Sequence, residues 1–146
     1  MINFKQIPEW WAFCGNSQCK HAEECLRHRA FKEVPQTVTR WACVLPTAVK
    51  DGECGYFQKT EKVRMARGFR NLFKDIKSKD AQHAIRMELT AYFGSKGTYY
   101  RYRDGERWMN PELQQMIADL MLSHGVKEVP VFDEYDEAYD FTKAST

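Results

Sequence analysis

The stretch CGNSQCKHAEEC, residues 14–25, is the most informative part of the sequence because it holds three of the five cysteines of a 146-residue chain. The other two are Cys43 and Cys54, so all five fall in the first 54 residues. Four thiolates, or three thiolates and an imidazole, can complete a tetrahedral zinc site, and four thiolates can also hold an iron–sulfur cluster. The clustering therefore predicts a metal centre in the N-terminal part of the chain.

The predicted ligands are Cys14, Cys19, Cys25 and Cys54, with His28 and Cys43 as reserve ligands. Two of these cysteines begin Cys-Gly steps, Cys14-Gly15 and Cys54-Gly55. A glycine after a ligand lets the chain curl so that backbone N–H groups face the thiolate and offset its charge. Two such steps on distant segments predict two turns that hold one ion. Cys43 lies in an apolar run typical of a strand, so we expect it in the core.

Zinc is the favoured metal, and a 4Fe–4S cluster is the alternative. We find no signal peptide and therefore expect a cytoplasmic protein, where disulfides are rare and clustered cysteines more often bind metal or do redox work. Two other interpretations stay open: ordinary buried thiols, since free cysteine behaves as a small apolar side chain, or a disulfide pair. No apolar run approaches the length of a membrane span, so we expect no membrane association.

The cysteine motifs also carry a resemblance. The segments Phe13-Cys-Gly-Asn-Ser-Gln-Cys19, Glu24-Cys-Leu-Arg27 and Cys54-Gly-Tyr-Phe57 resemble an uncharacterised family of short cysteine-containing proteins from gut anaerobic bacteria. Later runs, residues 99–107 and 131–135, fit the same family, so the resemblance covers nearly the whole chain. It implies one globular unit and brings no activity. The order of three cysteines and a histidine is also similar to zinc fingers that bind RNA, with a shorter final spacing.

Composition and length predict a single domain over residues 1–146. Apolar residues at 43% and charged residues at 29% are ordinary for a soluble protein that can bury one core. We predict an α+β fold that is mostly helical. A cysteine-rich part, residues 1–58, precedes helices and a hairpin at 59–127, and an acidic, aromatic tail follows at 128–146.

Periodicity and turn residues predict the elements. Apolar residues at helical spacing predict helices over about 18–31, 60–77, 81–93 and 111–124. The run 37–45 favours a strand, and 129–132 a short edge strand. Asp51-Gly52 predicts a turn that returns the chain to Cys54, and Asp104-Gly105 predicts a hairpin between the flanking runs 98–103 and 106–109.

Charge is distributed unevenly along the chain. The net charge is +1 over residues 1–58, +8 over 59–103 and −7 over 104–146. Basic side chains on one face of the predicted helix 60–77 and on the hairpin favour contact with nucleic-acid phosphates. These residues are Arg64, Arg67, Arg70, Lys74, Lys77, Arg101 and Arg103. The alternatives are a solvated basic surface, ion pairs with the acidic tail, or a protein partner that the tail recognises.

The sequence shows no phosphate-binding glycine loop, nucleophile elbow, zinc-protease histidine pair or recognisable catalytic triad, which favours a non-enzymatic protein. We therefore predict a zinc-binding module that acts as a nucleic-acid-associated regulator. One alternative is an iron–sulfur redox or sensor protein. The other is a protein–protein adaptor without a metal.

Overall fold

The computed structural model describes residues 2–143, and these residues form four α-helices and two small antiparallel sheets. The α+β class predicted from the sequence is confirmed. The chain divides into two compact units. The cysteine unit contains the residues up to Lys62 and those from Tyr139 onward, and the helical unit is Val63–Ala138. No helix within residues 2–143 has the length and apolar character to cross a membrane.

The cysteine unit contains little regular structure. Its helix α1 is Leu26–Lys32, and its two-residue strands β1 (Val49–Lys50) and β2 (Glu53–Cys54) pair antiparallel. Three short 3-10 turns lie at Phe4–Gln6, Ala22–Glu24 and Pro46–Ala48. The buried apolar cluster of this unit is Ile2, Ile7, Trp11, Phe13, Leu26, Ala30 and Phe141. Most residues of the cysteine unit therefore lie in loops, and the buried apolar cluster holds these loops in place.

The hairpin β1–β2 confirms the turn predicted at Asp51-Gly52. Both residues have positive φ angles, 53° at Asp51 and 78° at Gly52. A two-residue hairpin loop of this kind matches the twist of its flanking strands and favours Asp-Gly. The pairing sets Cys54 opposite Val49, so the turn fixes the position of one predicted ligand.

The helix predicted over 18–31 was wrong in its first half, because α1 begins only at Leu26. The preceding backbone pairs with residues 58–60 instead: the N–H of Leu26 donates to the carbonyl of Gln58 (2.7 Å), and the N–H of Thr60 donates to the carbonyl of Glu24 (2.9 Å). Cys25 is extended and caps the helix. Cys19 therefore lies in a turn rather than at a helix start.

The strand predicted over 37–45 was also wrong. Only one isolated parallel bridge, between Phe13 and Cys43, forms there. The N–H of Val44 donates to the carbonyl of Phe13 (2.8 Å), and the N–H of Phe13 donates to the carbonyl of Ala42 (2.9 Å). A bridge of one residue does not place Cys43 against a sheet. Its side chain is exposed, which contradicts its expected place in the core.

The helical unit packs helices on a three-stranded sheet of order β4-β3-β5. Its elements are β3 (Val63–Arg67), α2 (Lys79–Phe93), α3 (Lys96–Arg103), β4 (Trp108–Met109), α4 (Pro111–Ser123) and β5 (Glu134–Ala138). The core of this unit includes Ala66, Phe69, Ile85, Leu89, Tyr99, Met109, Ile117 and Phe132. The sheet strands come from both ends of the unit, so the helices α2–α4 lie between β3 and β5 in the sequence.

Two helices of this unit lie close to their predicted bounds of 81–93 and 111–124 and begin at side-chain caps. The side chain of Ser78 accepts a hydrogen bond from the N–H of Ala81 (3.1 Å) at the start of α2. The side chain of Asn110 accepts one from the N–H of Leu113 (2.9 Å) at the start of α4. A side-chain acceptor satisfies a backbone donor that the first turn leaves without a partner. These caps thus fix where α2 and α4 begin.

The hairpin predicted around Asp104-Gly105 was wrong, because residues 96–103 form α3. The N–H of Gly105 donates to the carbonyl of Tyr102 (3.3 Å), and that of Glu106 donates to the carbonyl of Arg101 (2.9 Å). These two bonds define a Schellman helix end, in which a glycine with positive φ follows the last helical residues. Gly105 has φ 84°, so the Asp-Gly step ends a helix here.

The helix predicted over 60–77 was wrong as well. Residues 63–67 form β3, and turns follow from Gly68, whose φ is 79°. β3 pairs with β4 on one side and β5 on the other, and this pairing outweighs the helical spacing of its apolar residues. The predicted edge strand at 129–132 is absent from the described residues, and the acidic tail instead forms β5, which begins five residues later at Glu134.

The turn after β3 generates a stability prediction. A Cβ at Gly68 would lie 2.6 Å from Oδ2 of Asp133, a carboxylate oxygen that accepts a hydrogen bond from the N–H of Arg70. Gly68→Ala should therefore cost clearly more than the ~1 kcal/mol expected from left-handed backbone strain alone. Gly94→Ala is the matched control, since Gly94 has φ 87° and open space around its Cβ position. Urea unfolding measures both, and equal costs would contradict the role given to Asp133.

Candidate metal centre

The cysteine unit contains a small cavity bordered by all four predicted ligands. Cys14, Cys19, Cys25 and Cys54 line it together with His21, His28 and apolar side chains such as Val44 and Phe57. Its volume, measured as room for the centre of a water-sized sphere, is about 30 Å³. The structure thus brings side chains from distant parts of the sequence to one space.

Each of three thiols is positioned by a different backbone feature. Cys14 follows the Phe13 bridge, and its N–H donates to the carbonyl of Arg27 (3.1 Å). Cys25 caps α1 and bridges Lys59. Cys54 ends β2. Loop, helix cap and hairpin therefore meet at the cavity.

The Cys-Gly steps curl as the sequence predicted. The Sγ atom of Cys54 accepts a hydrogen bond from the N–H of Tyr56 (3.4 Å). The thiol of Cys14 faces the backbone N–H of Asn16 in the same way, two residues further along the chain. Such donors favour a thiolate over a thiol. Both turns are therefore suited to hold a negatively charged sulfur.

Burial acts against the charged form of Cys14. It raises the pKa of the Cys14 thiol, the N–H of Asn16 lowers it, and the thiols of Cys25, Cys54 and Cys43 raise it further. Like charges disfavour ionisation of each other. Burial is therefore the main obstacle to a Cys14 thiolate, and the other cysteines add to it.

Arg27 is a buried cation beside the cavity, 2% exposed. Its guanidinium donates to the carbonyls of Tyr56 and Ala12 (2.8 Å each) and of Lys143 (3.1 Å). It also lies 4.5 Å from the centre of the Trp11 ring. One side chain thus joins three segments of the cysteine unit through backbone acceptors.

The pKa of Arg27 reflects its contact with the cysteines. Burial lowers it, while the nearby thiols of Cys25, Cys54 and Cys14 raise it because their negative forms favour the cation. The interaction is mutual, so the guanidinium also favours thiolates at the cavity. Arg27 was not among the functional residues predicted from the sequence. Arginine side chains are mostly solvent-exposed, so a buried one is not expected. The only indication in the sequence was that Arg27 lies two residues after Cys25.

The two histidines at the cavity differ in what their ring nitrogens contact. Both nitrogens of His21 face carboxylates, Nδ1 towards Glu24 (3.7 Å) and Nε2 towards Glu53 (3.9 Å). His28 is buried, and its Nδ1 lies 2.8 Å from the carbonyl oxygen of Cys14. A carbonyl oxygen only accepts, so Nδ1 of His28 carries the proton and Nε2 of the neutral ring has a lone pair.

The thiols border the cavity without meeting at one point. Among residues 2–143, no group of three or more histidine, cysteine, aspartate or glutamate side chains has an arrangement that could hold a metal ion. Of the reserve ligands, His28 lines the cavity, whereas Cys43 is exposed and does not. Metal binding by these thiols therefore stays a prediction.

The basic residues predicted to contact nucleic acid do not share a helix face. Arg64 lies 4.0 Å from the ring centre of Tyr135, and Arg67 lies 4.8 Å from that of Trp108. Arg67 also forms an ion pair with Glu134 of β5. Much of this basic segment is therefore engaged by aromatic and acidic side chains of the same unit.

The remaining basic residues divide into two groups. Arg70 and Arg103 both pair with Asp104, at 3.2 Å and 2.9 Å. Lys74, Lys77 and Arg101 form no salt bridge within residues 2–143. A nucleic-acid interface and a protein partner for the acidic tail both stay predictions.

A family model matches residues 1–141 of the chain. The chain belongs to a family of unknown function (DUF6078). This confirms the resemblance to an uncharacterised family, while the origin in gut anaerobes stays a prediction. No curated protein and no solved structure matches the chain. Membership in DUF6078 supplies no activity, so a function must be argued from the site itself.

The position of Arg27 generates a prediction about stability. Arg27→Met should destabilise the protein by about 3 kcal/mol or more, because it leaves buried carbonyl oxygens without their donor. Arg27→Lys should restore only part of this, since one ammonium cannot match the fork of a guanidinium. Urea unfolding, followed by tryptophan fluorescence, measures both variants.

Arg29→Met is the matched control on the same helix. The side chain of Arg29 is 43% exposed and pairs with Glu33 one turn later (2.7 Å), so its loss should cost far less than the loss of the buried Arg27. A cost for Arg27→Met no larger than that for Arg29→Met would contradict the importance assigned to the buried guanidinium.

Proposed function

We propose that the protein is a zinc-binding module in which the metal joins separate segments of the cysteine unit. Cys14, Cys25 and Cys54 are the ligands, and the fourth ligand comes from Cys19 or His28. The observation that carries this proposal is the shared cavity, which thiols from three segments border. Thiolates, alone or with imidazole, are the ligands that zinc takes in structural sites.

The size of the cavity supports a single ion. A cavity of about 30 Å³ exceeds the ~10–15 Å³ that one water needs and is far below the roughly 300 Å³ of small-molecule pockets. A four-iron, four-sulfide cluster is much larger than one ion and would require a wider opening. The available space therefore favours zinc over the iron–sulfur alternative.

The protonation of the thiols also favours a metal over redox chemistry. Reactive cysteines usually have a lowered pKa in a partly exposed, electropositive place. Burial raises the pKa of Cys14, which keeps it in the less reactive thiol form. A bound cation reverses this preference, because zinc deprotonates the thiols that coordinate it. The backbone donors at Asn16 and Tyr56 are already directed at two of these sulfurs.

A metal would serve a clear structural purpose in this unit. The cysteine unit contains one seven-residue helix and one hairpin of two-residue strands within the described residues. Regions with so little regular structure often need a metal or a disulfide in addition to their core. Zinc would join the turn at Cys14, the cap of α1 and the end of β2, so that binding and folding are coupled.

Metal analysis of the purified full-length protein tests the proposal. We expect one zinc per chain in the wild-type protein, a large loss of zinc in Cys25→Ser, and a fall in thermal stability when a chelator is added. Anaerobic purification with iron and sulfide analysis covers the iron–sulfur alternative in the same experiment.

Cys43→Ser is the matched control, because Cys43 is exposed and does not line the cavity. It should retain the wild-type zinc content. Wild-type protein that binds no zinc, or equal zinc loss in Cys25→Ser and Cys43→Ser, would overturn the proposal.

A further inference from the structure

We infer that the helical unit binds a free α-amino acid with a large apolar side chain, in a cleft between the turns after β3 and the segment after α4. Residues from 71–76 line one side of this cleft, and residues from 126–133 line the other together with Met121 of α4. All of these residues belong to the helical unit. The inference is therefore independent of the proposed zinc site.

The cleft has the size of a small-molecule site. Its volume, measured in the same way as that of the cysteine cavity, is about 400 Å³, within the roughly 300–1,000 Å³ typical of ligand pockets. Such pockets are mostly apolar and carry a few polar groups that orient the ligand. The cleft in the helical unit meets both conditions, as its floor and its charged groups show.

The floor of the cleft is apolar and buried. Four of the residues that line it are between 3% and 8% exposed, namely Leu72, Ile76, Met121 and Phe132. They belong to the core of the helical unit, so the floor is fixed by packing from below. A ligand that covers this floor must present an apolar group to it.

The side formed by residues 126–133 adds exposed apolar surface. Val129 and Val131 line the cleft and are 81% and 71% exposed. Within the described part of the chain, the backbone of residues 127–131 forms no hydrogen bond. Exposed apolar side chains beside a cleft are typical of a binding surface, so we expect the ligand to cover these two valines.

The opposite side is held in place by successive turns. The N–H of Lys74 donates to the carbonyl of Asn71 (3.2 Å), and the N–H of Ile76 donates to that of Phe73 (3.1 Å). The carboxylate of Asp133 joins the two sides, because it accepts hydrogen bonds from the N–H of Arg70 (3.1 Å) and the side chain of Asn71 (3.5 Å). The cleft is therefore formed before a ligand enters.

The charged groups of the cleft specify the polar part of the ligand. Lys74 and Asp75 line one side and Glu128 lines the other, and none of the three forms a salt bridge among residues 2–143. An α-amino acid carries its ammonium and its carboxylate on one carbon, so the groups that bind them must be neighbours. Lys74 and Asp75 are consecutive residues, which suits the carboxylate and the ammonium respectively, and Glu128 supplies a second acceptor for the ammonium.

The same charges disfavour other classes of ligand. The carboxylates of Asp75, Glu128 and Asp133 outnumber the ammonium of Lys74, so a phosphate or a nucleotide would meet net repulsion. A purely apolar molecule would cover charged groups without pairing them, which costs free energy. A molecule with both charges and an apolar side chain satisfies the floor and the rim together.

Isothermal titration calorimetry of the full-length protein with L-leucine and L-phenylalanine tests the inference. We expect both to bind, and glycine, which has no side chain to cover the floor, to show no binding at the same millimolar concentration. Leucinamide lacks the carboxylate and 4-methylpentanoate lacks the ammonium, so each should bind about tenfold more weakly than leucine or worse. Absence of binding by both amino acids, or equal binding by leucine and either analogue, would overturn the inference.

Substitutions at the rim locate the site. Lys74→Met and Glu128→Gln should each weaken leucine binding about tenfold or more, because each removes a charged partner of the ligand. Lys77→Met is the matched control, since Lys77 is exposed and does not line the cleft, and it should bind leucine as the wild-type protein does. Equal affinities in Lys74→Met and Lys77→Met would place the amino acid elsewhere and overturn the inference.

Methyl signals in NMR spectra of the wild-type protein provide a measurement without any substitution. Leucine should shift the signals of Val129 and Val131, which line the cleft, and leave those of Val44, which lines the cysteine cavity, unchanged. Binding of leucine with no shift at Val129 and Val131 would contradict the assigned position.

Discussion

The pairing of residues 24–26 with residues 58–60 is the constraint on which the cysteine unit depends. It holds Cys25 in an extended conformation, so α1 starts at Leu26 and not at residue 18, where the predicted helix began. It also brings the segment that follows Cys54 beside α1. Backbone hydrogen bonds between distant segments therefore decide where Cys25 lies at the border of the cavity.

The position of Arg27 depends on the same backbone pairing. Because α1 begins at Leu26, its first turn directs Arg27 inward, where the guanidinium contacts carbonyls on three segments and the ring of Trp11. A buried cation is costly unless polar groups surround it. The carbonyl acceptors offset part of that cost, and thiolates at the cavity would offset more of it. The cation and the thiols thus stabilise each other's charged forms, which links the packing of this unit to the chemistry of its cavity.

How far the sequence could predict this structure is clearest from its two Asp-Gly steps. Both place glycine at positive φ, yet Asp51-Gly52 makes a hairpin and Asp104-Gly105 ends a helix. An Asp-Gly step indicates a residue with left-handed backbone, but it does not indicate whether a strand or a helix precedes that residue. At residues 99–103, tyrosine and arginine suit either a strand or a helix, and in the structure they belong to α3, which Ser95 caps. The helices predicted over 81–93 and 111–124 do form, and each begins at a side-chain cap that acts within one turn.

The turns at Cys14 and Cys54 were predictable for a different reason. Cys-Gly steps curl locally towards their own sulfur, so the turns at Cys14 and Cys54 follow from adjacent residues. The inward position of Arg27, in contrast, depends on where α1 starts, and residues 58–60, some thirty positions away, fix that start.

The basic segment Val63–Arg67 likewise depends on pairing with a distant part of the chain. Val63–Arg67 has helical spacing, but pairing with β5 makes it a strand whose Arg67 meets Glu134. The basic segment and the acidic tail therefore interact partly with each other, and a nucleic-acid phosphate would have to compete with Glu134 for Arg67.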